Sequence, residues 1–311
     1  MSLGFRRWNK LAALFKREAT YGQDSTPLPA DALLFSNVTF TPMTGDRVSR
    51  DLILPYLGNQ GVVLAGIYAR FEGDIEIAGA GAAGTIPRYG ALLRAAGFAE
   101  VVTAGTKVEY TLIDDNQDAG SLYIISDKVK HILVGCRVNI APNWTAKGIP
   151  RWRVTIVGLL GAITDVAVMP TVTKAGWTKP LVVSKANTLV TIHAWDAVAE
   201  SISVDLGNTL TPRFLIGDEV VAISNRSTTA SAVVEARDLA EVNWFEKAIS
   251  KEADEVTIQH GTVAGNIVEH IMAAVEISEP TQGQTDGIIN YTIPMDVTPI
   301  NGLDELKIVV R

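Results

Sequence analysis

The sequence predicts a mainly β protein with two short helices, in which two similar units follow one another along the chain. Short segments in which apolar and polar residues alternate, or in which β-branched residues predominate, recur over nearly its whole length. Both patterns are typical of strands. One segment in each half has helical periodicity instead. Because strands and helix follow in the same order in both halves, we expect an internal duplication.

In the first half we predict seven strands and one helix. The helix is expected near residues 89–96, where Leu92, Leu93 and Ala96 share a face and Gly97 follows as a stop signal. The strands are expected at residues 35–40, 51–57, 62–77, 107–113, 121–126, 131–140 and 152–157.

The second half is predicted to repeat this layout. A helix is expected near residues 235–249, because Ala236, Leu239, Ala240 and Trp244 would lie along one face. The strands are expected near residues 190–195, 201–204, 219–223, 256–259, 267–277, 288–293 and 306–310.

A shift of 139 residues aligns the two halves. It superposes His131 on His270 and Trp152 on Tyr291, and four of the twenty-four positions from 131 to 154 are identical. The prediction of a duplication therefore depends on the recurring element order more than on identity. We divide the chain into an N-terminal arm and linker (1–30), a first β unit (31–170) and a second β unit (171–311).

Composition indicates a folded protein with unevenly distributed charge. The chain has 311 residues, of which 47% are hydrophobic and 20% charged, and its net charge is −7. Residues 166–311 carry ten basic and nineteen acidic side chains, whereas the first seventeen residues carry five basic ones. The acidic body argues against nucleic-acid binding by the folded part. The basic arm is either a solvated tail or a segment that docks on an acidic neighbour.

The segment Gly79-x-Gly81-x-x-Gly84 matches the residue pattern of the dinucleotide-binding fingerprint but not the structural context that the fingerprint requires. That fingerprint requires a buried strand that continues through the glycines directly into a helix. Residues 67–77 instead alternate as a half-solvated antiparallel strand does, and Pro87 separates the glycines from the helix. We therefore predict a turn whose backbone approaches a neighbouring segment closely.

Patterns for catalysis, metal binding or membrane insertion are not found in the sequence. The four histidines are scattered without metal-ligand spacing, and Cys136 lies alone in an apolar run. No nucleophile elbow, Walker loop or zinc-protease motif is present. We predict no enzyme activity, no cofactor and no metal site. The apolar segments are too short for a signal peptide or a membrane span, so no membrane binding is expected.

Four segments carry a family resemblance by their order and spacing. They are FKREATYGQD at residues 15–24, the strand, glycine-rich turn and helix at 71–98, HGTVAGN at 260–266, and NGLDELKIVV at 301–310. Together they resemble the major tail tube proteins of long-tailed, siphovirus-type bacteriophages, of the two-domain kind. The motifs are individually loose, but the resemblance spans nearly the whole chain.

This resemblance implies a structural virion protein built from duplicated tail-tube-type β-sandwich or half-barrel units, each with one flanking helix. It implies self-assembly into stacked rings, trimeric and pseudo-hexameric, which form the tube through which the genome passes during ejection. Implied partners are other copies of the chain, a tape measure protein, a tail terminator and distal tail or baseplate proteins. Double-stranded DNA would pass through the lumen without specific binding. The location implied is the phage tail, after assembly in the bacterial host cytoplasm.

Two sets of candidate contact residues follow. Glu72, Asp74 and Glu76 alternate along one strand and either line the lumen, where they would repel DNA, or face the outside or a neighbouring subunit. We also expect a chain lacking residues 1–24 to stay folded but not to form tubes. The expected inter-ring or inter-subunit contacts are Phe15, Arg17, Glu18, Tyr21, Gly22 and Asp24.

Two other functions stay open at this point. One is a phage β module that binds partners without forming a tube, such as a baseplate or capsid-decorating component. A more remote one is a nucleotide-dependent enzyme that uses Gly79, Gly81 and Gly84. Particle shape would separate the first from a tube protein, and a dinucleotide titration followed by thermal unfolding would detect the second.

Overall fold

The computed structural model describes residues 5–311 and confirms a mainly β chain with two short helices. Met1–Gly4, where the predicted arm begins, lie outside the described residues. Neither helix in the described part has the length and hydrophobicity to cross a bilayer. The elements are β1 (Leu11–Arg17), β2 (Ala32–Leu33), β3 (Phe35–Ser49), β4 (Val62–Glu76), α1 (Gly90–Ala95), β5 (Phe98–Thr103), β6 (Lys107–Leu112), β7 (Gly120–Ser126), β8 (Val129–Thr145), β9 (Arg151–Asp165), β10 (Thr188–Ile192), β11 (Trp195–Asp196), β12 (Ala199–Asp205), β13 (Asn208–Leu215), β14 (Asp218–Arg226), β15 (Thr229–Glu235), α2 (Trp244–Ser250), β16 (Asp254–His260), β17 (Val268–Ile277), β18 (Thr281–Thr285), β19 (Ile288–Val297) and β20 (Lys307–Val310).

Two sequence-based expectations about elements are wrong. Residues 51–57 form no strand and lie in the connection between β3 and β4. The helix expected over residues 235–249 is present only in its last part, because β15 runs to Glu235 and α2 begins after Asn243. The Asn243 side-chain oxygen accepts a hydrogen bond from the backbone nitrogen of Glu246 at 3.2 Å, which caps α2 at that point.

The N-terminal segment is part of the chain's own sheet, whereas the sequence indicated either a solvated tail or a segment that docks on an acidic neighbour. β1 pairs antiparallel with β7 and with β2, and Ala12, Ala13, Leu14 and Phe15 are buried. Removal of residues 1–24 would therefore take out a buried strand and leave its partners uncovered. The expectation that such a truncated chain stays folded is not supported.

Eighteen of the described strands are joined by hydrogen bonds into one sheet, and β13 and β14 form a separate hairpin. One succession of neighbouring strands is β3-β4-β9-β8-β12-β15-β19-β18, which we call the continuous sheet. The first four of these strands come from the first half of the chain and the last four from the second. The pairing of β8 with β12 joins the two halves edge to edge.

A second succession of strands covers the apolar side of the continuous sheet. In it β1 and β7 lead into β8, while β10, β16, β17, β20, β6 and β5 follow one another. Side chains from both successions and from α1 belong to one core cluster, which includes Phe71, Trp152, Ile202, Ile293, Leu122, Ile258, Ile308 and Leu92. Burial of each such side chain contributes about 1.5–3 kcal/mol, so this shared core is what holds the halves together.

The β13–β14 hairpin of the second half folds over the first half. The Asn208 side chain donates hydrogen bonds to the carbonyl oxygens of Ala96 and Val138 at 2.8 and 3.0 Å. The Phe214 ring packs against Gly66, where an added Cβ would lie 2.8 Å from a ring carbon. A glycine at this position, which also has φ +60°, allows the hairpin to lie directly on β4.

Candidate functional site

The continuous sheet has an apolar face in the core and a second face on which polar side chains predominate, with a few apolar ones such as Ala141, Val157 and Val233. Residues paired across neighbouring strands point to the same side of a sheet. The row Asn143, Ser203 and Ser231 crosses the junction between the halves in this way. We call this side the polar face. It carries Thr39, Thr41, Arg70, Glu72, Asp74, Glu76, Arg151, Arg153, Thr155, Asn139, Asn143, Thr145, Ser201, Ser203, Asp205, Thr229, Ser231, Thr292 and Asp296.

Glu72, Asp74 and Glu76 share the polar face, as their alternation predicts, while Phe71 and Ile75 point into the core. Two of the three acidic side chains, Glu72 and Asp74, form ion pairs, whereas Glu76 forms none within residues 5–311. The guanidinium of Arg153 lies 2.8 Å from the Glu72 carboxylate and 3.1 Å from that of Asp74. The Arg70 Nε lies 2.7 Å from Glu72. In the first half, the acidic strand is therefore matched by basic side chains.

These ion pairs shift the protonation of the groups that form them. Burial opposes ionisation of Glu72, but hydrogen bonds from Arg70 and Arg153 outweigh it and hold the pKa of Glu72 below its usual value. Burial likewise opposes the charge of Arg153, and the carboxylates of Asp74 and Glu72 outweigh it and raise its pKa. Glu72 and Arg153 are therefore both ionised at neutral pH.

Arg153 is a site residue that sequence reasoning did not identify. The sequence places it only at the start of an apolar run, and the register that sets Asp74 opposite Arg153 is a long-range pairing of β4 with β9. The one available signal is the polar–apolar alternation of Arg151, Trp152 and Arg153, which puts both arginines on the same face.

Unbalanced negative charge lies on the second-half part of the polar face and next to it. Asp205 and Asp296 lie on this face, and Glu276 of β17, a strand of the second succession, is directly opposite Asp296. Within residues 5–311, no lysine or arginine side chain forms an ion pair with these three carboxylates. Asp205 accepts a hydrogen bond from the Asn139 amide at 2.9 Å. This distribution agrees with the acidic composition of residues 166–311.

Among the residues expected to contact other subunits, Glu18 is buried within its own chain. Its carboxylate accepts hydrogen bonds from the backbone nitrogens of Gly22 and Gly135 at 2.7 and 2.9 Å, and from the Ser121 hydroxyl at 2.7 Å. Only 5% of Glu18 is exposed. Because a buried carboxylate needs several donors, this network fixes the chain where it leaves β1.

The other members of this set also have partners within the chain. The Tyr21 hydroxyl accepts a hydrogen bond from the backbone nitrogen of Val221 at 2.6 Å, and Asp24 accepts one from the Tyr123 hydroxyl at 2.6 Å. Arg17 pairs with Asp118 at 3.1 Å. Phe15 is buried, whereas Arg17, Tyr21 and Asp24 are exposed and Gly22 is half-buried. Burial raises the pKa of Tyr21, partly offset by the bond from Val221.

The glycine-rich turn packs against the second half of the chain. The backbone nitrogen of Gly79 donates to the Asn266 side chain and that of Gly81 donates to the Gly265 carbonyl, both at 2.8 Å. A Cβ on Gly79 would fall 2.2 Å from the Gly265 oxygen. The backbone amides of Gly79 and Gly81, two of those that a phosphate would require, are thus used within the chain. Nor do the described residues include three or more His, Cys, Asp or Glu side chains grouped to hold a metal ion.

The shift of 139 residues that aligns the halves in sequence also conserves a strand pairing, since Arg137–Val157 of β8 and β9 becomes Glu276–Asp296 of β17 and β19. Adding 159 to a β4 number and 139 to a β9 number converts each of the seven pairs from Arg70–Val157 to Glu76–Arg151 into a β15–β19 pair. For example, Glu76–Arg151 becomes Glu235–Asn290. The second of these offsets is the same shift that aligns the two halves in sequence.

The continuous sheet ends at two strands whose outer edges are open within the described residues. β3 pairs only with β4, and β18 pairs only with β19. All five residues of β18 are exposed. Unpaired N–H and C=O groups on such edges favour the addition of another strand.

Beyond the sheet, the end of the β3–β4 hairpin and its connection expose many large apolar side chains. Ile53 and Leu57 are fully exposed. Exposed apolar surface of this extent is typical of contact sites with other proteins. The others in residues 43–64 are Met43, Val48, Leu52, Leu54, Tyr56, Val62, Val63 and Leu64.

Comparison with known proteins gives one result that bears on the whole chain. A family model described as "Phage tail tube protein" matches residues 8–297. A search of curated proteins gave no match. The matched range includes the continuous sheet, both helices and the glycine-rich turn.

Proposed function

Because this chain belongs to the family of phage tail tube proteins, we propose that its copies assemble into stacked rings that form the wall of a tail tube. The protein has a structural role in the phage tail. In the proposed assembly, each ring is a trimer with pseudo-sixfold symmetry, and the genome passes through the ring during ejection.

The observation that carries this proposal is the continuous sheet with its polar face and its two open edges. A sheet with open edges is stabilised when those edges are paired, and closure into a barrel leaves no edge unpaired. Copies of this chain would close such a barrel by edge-to-edge contact between β18 of one copy and β3 of the next. The polar faces of all copies would then line one side of the wall.

Pseudo-sixfold symmetry follows if each half of the chain is one segment of the wall. The strand pair Arg137–Val157, which becomes Glu276–Asp296 at the shift of 139 residues found in the sequence, supports an internal duplication. Each half supplies four strands to the continuous sheet, and β8–β12 joins them edge to edge. Three such chains would present six similar segments around the ring.

We place the polar face toward the lumen, with Glu72, Asp74 and Glu76 among the lining residues. DNA that slides through a tube must not be held by its phosphates. Arg70 and Arg153 are neutralised by the carboxylates beside them. The surplus charge on this face is negative and comes from the second half, so the lining as a whole would repel DNA weakly.

Contacts between rings are assigned to the exposed apolar end of the β3–β4 hairpin and to the N-terminal segment. Ile53 and Leu57 are fully exposed within residues 5–311 and the other apolar side chains there are partly exposed, so burial against a neighbouring ring would stabilise a stack. In the N-terminal segment, Arg17, Tyr21 and Asp24 are exposed enough to reach a neighbour, with Gly22 between them. Phe15 and Glu18 would act by fixing the position of that segment.

The further partners in this proposal are those of a tail: a tape measure protein inside the tube, a tail terminator at one end and distal tail or baseplate proteins at the other. The chain would assemble in the host cytoplasm and remain in the virion. It would bind no cofactor and catalyse no reaction.

Electron microscopy of the purified protein at increasing concentration tests the proposal. Rings or tubes of constant diameter are expected. Discrete particles that contain one or a few chains at every concentration would instead favour a binding module of the phage. A reconstruction of the tube in which Glu72 lies away from the channel would refute the lumen assignment while leaving the tube itself in place.

A further inference from the structure

The junction between the two halves contains three consecutive cross-strand pairs. Thr145 is opposite Ser201, Trp144 opposite Ile202, and Asn143 opposite Ser203, in antiparallel register. Trp144 and Ile202 point into the core and are each 1% exposed. The two strands involved are the last strand of the first half of the continuous sheet and the first strand of the second half.

Each strand of this junction has a counterpart at an open edge of the same chain. Adding 164 to a β3 number and 159 to a β4 number converts Phe35–Ile75 into Ala199–Val234 and Thr39–Glu72 into Ser203–Ser231. β3 therefore corresponds to β12. Both strands also have an irregularity in register, between Ser36 and Thr39 in β3 and between Ala199 and Ser201 in β12. Its position differs by one pair, because Ser36–Asp74 would convert into Glu200–Val233, whereas Val233 pairs with Ser201.

The second edge strand is assigned by the same comparison. Adding 140 to a β8 number and 139 to a β9 number converts Asn143–Arg151 into Gly283–Asn290. β18 therefore corresponds to the end of β8. On this basis Thr145, Trp144 and Asn143 correspond to Thr285, Gln284 and Gly283.

We propose that the contact between neighbouring copies in a ring repeats the internal junction, with β18 of one copy antiparallel to β3 of the next in one defined register. Thr285 is opposite Asn37, Gln284 opposite Val38, and Gly283 opposite Thr39. This inference rests on the proposed function, since it needs copies of the chain to be arranged side by side. It adds the direction of the two strands and the residue pairs.

Burial in the single chain agrees with this assignment. Trp144 and Ile202 are buried at the internal junction, but their counterparts Gln284 and Val38 are exposed and half-buried because no strand covers them. Thr39 and Gly283 are both exposed, so the polar face would continue across the new contact. Within residues 5–311 no further strand pairs with these two edges, although the Asn37 carbonyl accepts a hydrogen bond from the Arg153 side chain at 3.1 Å.

Single cysteine variants test the register. Thr39→Cys protein is mixed with Gly283→Cys protein under assembly conditions and oxidised, and covalent dimers are measured on a non-reducing gel. Directly opposed residues in an antiparallel pair bring their Cβ atoms to about 4.5–5.5 Å, close enough for a disulfide after small adjustments. The parent chain serves as the background control, because its one cysteine, Cys136, is fully buried.

Thr41→Cys mixed with Gly283→Cys is the matched register control. Thr41 lies on the same strand and face as Thr39, two residues further along. The Thr39 mixture is expected to give at least tenfold more dimer than the Thr41 mixture, and neither variant alone should exceed the parent. Equal or greater yield from the Thr41 mixture would overturn the register.

Electron microscopy of the same samples separates failure of this inference from failure of the proposed function. Rings or tubes without dimers in the Thr39 mixture would refute the β18–β3 contact while the tube function stands. If neither the parent nor the variants assembled at any concentration, the proposed function would be rejected, and this inference with it.

Discussion

The Tyr21 hydroxyl oxygen lies 2.6 Å from the backbone nitrogen of Val221, two hundred residues away along the chain. This bond connects the segment after β1 with the β13–β14 hairpin of the second half. The Arg137 guanidinium lies 5.5 Å from the centre of the Tyr21 ring on the side of β8. Tyr21 thus contacts both halves at the place where one folds over the other.

We expect Tyr21→Phe to destabilise the folded chain by about 1–3 kcal/mol, because the Val221 N–H would lose its partner without gaining water. Urea unfolding followed by circular dichroism would show a lower midpoint with an unchanged slope. Tyr56→Phe is the control, since Tyr56 is 66% exposed. Equal midpoints for the two variants would contradict a stabilising role for the Tyr21–Val221 bond.

Arg153→Gln should weaken the fold most near neutral pH. The pKa of Glu72 in the folded chain lies below its usual value. The Glu72 charge therefore stabilises the fold above the pKa of the unfolded side chain, and this contribution is lost as pH falls through the folded-state pKa. Because the ion pairs are partly exposed, the substitution should cost only about 1 kcal/mol at pH 7, and this cost should shrink below about pH 4. Urea titrations at several pH values would measure this. Arg50→Gln, at an exposed position, should show no such trend.

His270 is predicted to make the fold sensitive to mild acid. Burial lowers its pKa to about 3, with a smaller effect from His260, whereas the unfolded side chain has a pKa of about 6.5. The stabilisation that comes from the neutral His270 ring is complete above the pKa of the unfolded side chain. It declines as pH falls toward the pKa of the folded state. The expected loss from this residue between pH 7 and pH 5 is about 2 kcal/mol.

His270→Phe should remove that part of the pH dependence. The substitution keeps an aromatic ring beside Trp144 and Trp152, whose centroids lie 4.7 and 5.0 Å from the His270 ring. Unfolding free energies of the two proteins would be compared across this pH range. Parallel pH profiles would show that another group causes any acid sensitivity.

Gly79→Ala should destabilise the chain by about 1–3 kcal/mol, since its Cβ would collide with the Gly265 carbonyl and force the two loops apart. Gly58→Ala is the matched control, because an added Cβ there meets no atom within 4 Å. Thermal unfolding of both variants would test this. A Gly79→Ala midpoint as high as that of Gly58→Ala would mean that the loops are not in close contact.

Sequence periodicity predicted the elements that have one face covered by the core and the other face exposed, because this difference appears as a regular pattern in their own residues. β4 alternates as expected because one of its faces is covered by core and the other is not, and α1 has its apolar face on one side. β1 was missed because its short apolar run ends in Lys16 and Arg17, which read as part of a basic tail. β18, with the sequence TQGQT, contains no apolar residue and is a strand only because β19 pairs with it.

The same distinction applies to the candidate site. Alternation was sufficient to place Glu72, Asp74 and Glu76 on one face. It could not reveal Arg153 opposite Asp74, because the register between β4 and β9 depends on contacts between residues far apart in sequence. The internal partners of Glu18 and Tyr21 were hidden for the same reason.

The pairing of β8 with β12 has a consequence for the kinetics of any assembly that uses similar contacts. It is formed within one polypeptide, so it exists at every dilution and costs none of the translational entropy that a second molecule loses on binding. A chain that carries one such contact already made would need fewer diffusional encounters to close a ring than separate halves would. Partial rings would correspondingly have fewer points at which they could fall apart.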